Sequence, residues 1–164
     1  MKRLIAILLL LTISIGFVAC SSDDSGSNPV TQTDPWVGTW LSSGTNVAPI
    51  LVALFNLDSV RVTMREDLTV TTEQHVAGGT WTTINGVYVV TKSTTGTVHT
   101  IRFNYSAFEQ EGIFQITEGT PDTFKLEAVQ VLPDIGAVPR TPTTGFGSDA
   151  TLGTYNIQNY VRIN

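Results

Sequence analysis

Ser59-Val60-Arg61-Val62-Thr63-Met64-Arg65-Glu66-Asp67-Leu68-Thr69-Val70 is the stretch that decides the fold. Val60, Val62 and Met64 alternate with Ser59, Arg61, Thr63 and Arg65. In an extended chain successive side chains point to opposite faces, so this alternation describes a strand with one apolar and one polar face. Glu66-Asp67 then supplies a turn before a second strand from Leu68 to Val76. A connection this short joins antiparallel neighbours.

The same pattern continues toward the C-terminus. Thr80 to Ile84 reads as a strand, Asn85-Gly86 as a type I′ hairpin turn, and Val87 to Thr91 as the returning strand. Ser93 to Gly96 makes the next turn, after which Thr97 to Tyr105 puts His99, Ile101, Phe103 and Tyr105 on one face. Gly112, Phe114 and Ile116 line a further strand, and Thr120-Pro121-Asp122 turns into Phe124, Leu126 and Ala128. A last run sets Tyr155, Ile157, Asn159, Val161 and Ile163 on one face. From Trp36 onward this predicts eight or nine strands in an all-β, antiparallel barrel or open sandwich.

Two segments break the alternation. Between Asn46 and Leu57, residues Ile50, Leu51, Leu54 and Phe55 fall at helical spacing, with Asn46 placed to cap and Pro49 to sit in the first turn. One short helix after strand 1 is expected. Pro133 to Gly153 has no periodicity and is rich in Pro, Gly and Thr. A loop of that length in a compact domain is commonly functional, and its apolar residues Ile135, Val138 and Phe146 make it the expected interaction surface.

Composition narrows the function classes. The chain has 164 residues, of which 14% are charged, with 25 Thr and a formal net charge of −5. Low charge with many hydroxyls suits strands whose outer faces are hydroxylated. The acidic balance excludes a nucleic-acid partner held through a basic face. One Cys excludes an intrachain disulfide framework and a Cys-rich zinc module.

That single cysteine belongs to an address. Lys2 and Arg3 precede an apolar run from Leu4 to Val18, and Ala19-Cys20 closes it with small residues, which is the plan of a secretory signal peptide. Phe17-Val18-Ala19-Cys20 resembles a bacterial lipobox, with Phe17 in place of the commoner Leu. The resemblance implies cleavage before Cys20 and acylation of its sulfur, which makes Cys20 a membrane anchor. Two or three acyl chains anchor stably, at about 0.8 kcal/mol for each buried CH₂. Loss of Lys2 and Arg3 leaves seven of the nine basic residues against fourteen acids, a net −7. Residues 1–19 are thus expected to be a signal peptide, 20–35 a lipidated, flexible tether, and 36–164 the folded domain. Asp23 and Asp24 resemble the export signal with which Bacteroidetes place lipoproteins at the cell surface, so the expected location is the outer membrane.

Gly38-Thr39-Trp40, close behind Trp36, resembles the Gly-x-Trp signature of the lipocalins and of bacterial lipocalin-like lipoproteins. In that family a basic residue on the last strand packs across the Trp, and Arg162 matches it by position. The resemblance implies an up-and-down barrel closed at one end by Trp40, and a small apolar or amphipathic ligand held inside. Two departures stand against it: the family's motif between strands six and seven is absent, and the helix follows strand 1 instead of preceding the last strand. Trp81, His99, Phe103, Tyr105, Phe114 and Phe124 are the larger inward residues and hence the candidate ligand-binding set. The other reading of the same chain is a surface interaction module with a filled core.

Catalytic chemistry has little to stand on. His99 has Thr97 as a same-face partner, and His75 beside Glu73 lies too far along the chain to join it as a metal site. The acidic pairs Glu66-Asp67, Glu109 with Glu111, and Glu118 with Asp122 flank turns, where carboxylates ordinarily act as solvated caps. Gly145-Phe146-Gly147-Ser148-Asp149 lacks the strand-to-helix elbow that exposes a nucleophilic serine. The sequence therefore predicts no enzyme, no cofactor and no metal.

Overall fold

The structure is a computed structural model that describes residues 33–164. The expected signal peptide, the lipidation site Cys20, and Asp23 and Asp24 lie outside the described residues.

Eight antiparallel strands close into one up-and-down barrel, each paired with its sequence neighbours and the last with the first. In chain order they are β1 (Gly38–Ser43), β2 (Leu57–Met64), β3 (Thr69–Val76), β4 (Trp81–Thr91), β5 (Val98–Tyr105), β6 (Phe108–Thr117), β7 (Thr123–Leu132) and β8 (Ile157–Arg162). Closure is made by Trp40 opposite Arg162 and Leu41 opposite Val161. A closed barrel leaves no strand edge unpaired, which an open sandwich would. The alternation in the opening stretch is the core pattern, since Val60, Val62 and Met64 are buried while Arg61 and Thr63 face outward.

The expected hairpin at Asn85-Gly86 is not there. Both residues lie inside the eleven-residue strand β4, with Asn85 opposite Thr71 and Gly86 opposite Val70. Gly86 serves another purpose: a Cβ there would meet the Asn104 carbonyl oxygen at 2.4 Å and Tyr105 Cδ1 at 2.8 Å. The absence of a side chain permits close approach of the neighbouring strand β5.

The helix, α1 (Pro49–Phe55), follows a 3₁₀ turn over Gly44–Asn46. Pro49 opens the helix as expected, but Ala48 stands at the N-cap without a side-chain hydrogen bond, so Asn46 is not the cap. Asn56 closes it in the left-handed region at φ 54°. The helix buries none of its residues fully, because it lies across one end of the barrel and is not packed into its interior.

The last strand also differs from the pattern of its apolar letters. Gln158, Tyr160 and Arg162 form its inward face, and Ile157, Asn159 and Val161 point outward. Ile157 is nevertheless 9% exposed, and its outward neighbours Glu127 and Ile113 are 3% and 0% exposed. The long connection from Pro133 to Leu152 covers them, which gives the β6–β7–β8 wall a small second core on its outer side. A short 3₁₀ turn, Gly153–Asn156, then leads into β8.

Candidate functional site

The two ends of the barrel are built differently. At one end, Trp40 is fully buried and its Nε1 donates to the Trp36 carbonyl at 2.9 Å. Phe124 packs edge-on against it at 5.3 Å, and the Arg162 guanidinium lies 4.1 Å from its ring centroid. Arg162 also donates through Nε to Asp122 at 2.9 Å, through Nη1 to the Val37 carbonyl at 2.8 Å, and through Nη2 to the Pro35 carbonyl. The hydrogen bond from the Gly119 N–H, followed by that from Arg162, holds the Asp122 carboxyl below the usual range. Gly38 has φ 141°, and a Cβ on it would come within 2.3 Å of Arg162 Nη1. Gly38, Trp40 and Arg162 are thus one assembly: the glycine makes room for the guanidinium that covers the indole.

Three of the candidate ligand-binding residues belong to this closed base. His99, Phe114 and Trp36 form an edge-to-face triad, with centroids 5.4 to 5.9 Å apart. Phe124 joins through Phe114 at 5.6 Å. His99 Nδ1 accepts the Ser93 N–H at 3.0 Å. Burial, with Lys92 nearby, lowers the imidazole pKa below 6.5. Trp81, expected to point inward, stands instead on the outer face at 40% exposure. There it lies beneath Arg61 at 5.0 Å and beside His75 at 5.2 Å. His75 pairs with Asp58 at 2.7 Å, and Arg61 makes a two-pronged pair with Glu73.

Phe103 and Tyr105 are the two candidates that reach the opposite, open end, where the interior forms a cup of about 100 Å³. Leu51 of α1 also lines it, and around its wall the apolar Val60, Val62 and Leu126 and the aromatic Tyr160 are interleaved with the polar Thr72, Gln74, Gln110, Asn156 and Gln158. None of the lining residues is Asp, Glu, Lys, Arg or His. Thr72 Oγ1 and the Tyr105 hydroxyl hydrogen-bond at 2.8 Å. Burial pushes the Tyr105 phenol up to about 12 and raises that of Tyr160 as well, so both stay protonated near neutrality. Asn156 donates to the Ala128 carbonyl at 2.8 Å. Gln158 is only 5% exposed, and its buried Nε2 has no hydrogen-bond partner among the described residues.

The chamber of a few hundred Å³ that an enclosed ligand requires is not formed. Aromatic side chains fill the lower interior, and the space left over is lined by both polar and apolar side chains. The polar lining is made of Thr, Gln and Asn, residue types that any half-buried strand carries. A signal was present: if Arg162 faces Trp40, period two carries Tyr160 and Gln158 inward with it.

Around the cup the rim is apolar and uncovered. Val52, Leu54 and Phe55 of α1 are 45%, 67% and 59% exposed. The long loop contributes less than its sequence suggested. Phe146 folds under Lys125 at 4.4 Å, and the Gly147 N–H donates to Glu127 at 2.7 Å, which fastens the loop to β7. Ile135 and Val138 stay exposed beside an open groove of about 350 Å³ that also contacts Val129, Arg140 and Leu152. Among the described residues, no three His, Cys, Asp or Glu side chains come together as a metal site. Comparison with protein-family models, curated proteins and solved structures finds no match to the chain.

Proposed function

We propose that this chain is a lipocalin-like lipoprotein of the cell envelope, anchored in the outer membrane through acylated Cys20, which binds a small amphipathic ligand at the open end of its barrel without catalysis. The observation that carries this reading is the cup itself: a buried, unpartnered amide of Gln158 beside an uncovered apolar helix. A buried donor left without an acceptor is costly, and a guest that supplies the acceptor relieves that cost. The Gly38–Trp40–Arg162 assembly, which resembles the lipocalin signature, adds to it.

Native mass spectrometry of the full protein purified from its own host tests the proposal. A co-purifying small molecule of constant mass is expected, and repeated recovery of the bare chain overturns the ligand reading. A second reading, a non-catalytic interaction module, draws on the exposed Ile135 and Val138 beside the loop groove. Bare chain together with a reproducible protein partner supports it.

A further inference from the structure

We infer that the cup takes the uncharged, hydrogen-bond-accepting end of an amphiphile head-first, and that the ligand's apolar remainder leaves through the mouth and lies on α1. This rests on the proposed binding at the open end and names the class of guest.

Size comes first. The cup of about 100 Å³ is smaller than the roughly 150 Å³ cavity that accommodates a benzene-sized guest, so it takes a small group. An acyl chain does not fit, but a carboxamide, ester or hydroxyl group does. Polarity selects the same end. Gln158, whose buried Nε2 has no acceptor among the described residues, lines the cup with Gln74, Gln110 and Asn156, and the Thr72–Tyr105 hydroxyl pair offers a further polar contact. Charge then divides the candidate heads. No ionisable acid or base lines the cup, so a carboxylate or ammonium would lose its hydration with no counter-ion to replace it. An uncharged head loses much less.

The tail has one continuous apolar path. Leu51 touches the cup, and Val52, Leu54 and Phe55 of the same helix are uncovered outside. No charged residue occurs from Leu41 to Leu57, so nothing along that path repels an alkyl chain.

Calorimetric titration of the unacylated Cys20→Ser chain in detergent-free buffer at pH 8 tests this with three probes of equal chain length: decanamide, decanoate and decylamine. Decanamide is expected to bind at least about tenfold more tightly than either charged probe. Gln158→Leu should weaken decanamide about tenfold, the worth of one hydrogen bond. Thr72→Val is the second variant should Gln158→Leu not fold. Leu54→Ser with Phe55→Ser should weaken decanamide but leave butanamide, which has almost no tail, unchanged.

Equal or tighter decanoate binding, or decanamide binding indifferent to both cup variants, overturns the head-first inference while leaving a ligand-binding barrel. So does a charged or wholly apolar ligand recovered from the host. Absence of binding by all three probes, with no molecule co-purifying from the host, overturns the underlying binding reading instead.

Discussion

The base and the rim of this barrel obey opposite rules. At the base the buried Trp40 indole and the half-buried Arg162 fork, Asp122 and His99 ring are all hydrogen-bonded. At the rim a buried amide is unpartnered and an apolar helix is uncovered. Satisfied, close-packed groups carry stability. Unsatisfied ones at an open mouth are where a partner gains binding energy. On the proposed reading, the same fold separates stability from binding along its axis.

Substitutions at the two ends should therefore differ in kind. Trp40→Ala removes the fully buried plug, and about 3 to 5 kcal/mol of stability is expected to go with it in urea unfolding. A loss below about 1 kcal/mol would break the distinction between the ends, since the base would then contribute no more than an ordinary surface position.

Arg162→Met keeps a long apolar stem over Trp40 but strands the Val37 and Pro35 carbonyls. A loss of about 2 kcal/mol is expected in the same measurement. Arg162→Lys should recover only part of it, because an ammonium cannot reproduce the planar fork.

Acid should loosen the base next. The folded state holds the His99 pKa below 6.5, so below pH 6.5 the unfolded chain takes up a proton that the folded chain refuses. Stability is then lost as pH falls from 6.5 toward the folded value, and this group contributes no slope above that window. Urea midpoints measured across the window should fall with pH in the native protein and fall less in His99→Gln. Parallel curves for the two proteins would remove His99 from the account.

The smallest stability effect belongs to the rim. Leu54→Ser and Phe55→Ser should each change unfolding free energy by no more than about 0.5 kcal/mol, since both side chains are already mostly in water. A large loss in thermal melting would mean that α1 holds the barrel together, and the contrast between the ends would fail.

The base was the more legible end. Gly38-Thr39-Trp40 and Arg162 lie near the two ends of the folded domain, and only barrel closure brings them together, yet each residue type already states its role. A glycine leaves space, an indole fills it and a guanidinium stacks on the indole. The cup was less legible because glutamine and threonine alternate with polar neighbours in any strand. Gln158 looks no different in sequence from Gln115, which is half-buried on an outer face and hydrogen-bonded to Thr97.

The turn signal at Asn85-Gly86 failed for a related reason. Local turn chemistry favours a hairpin there, but eleven residues of β4 pair continuously along β3 and then β5, and that ladder outweighs a two-residue preference. The apolar letters of β8 misled in turn because Ile157, though on its outer face, is buried.

Alternation, a property of each strand alone, was enough to determine an antiparallel all-β domain, and helical spacing the one short helix after its first strand. Closure, the direction of each face, the depth of the cup and the isolation of Gln158 were decided by the tertiary structure. They depend on which strands lie opposite one another across the barrel, and no local periodicity encodes a distance across an interior.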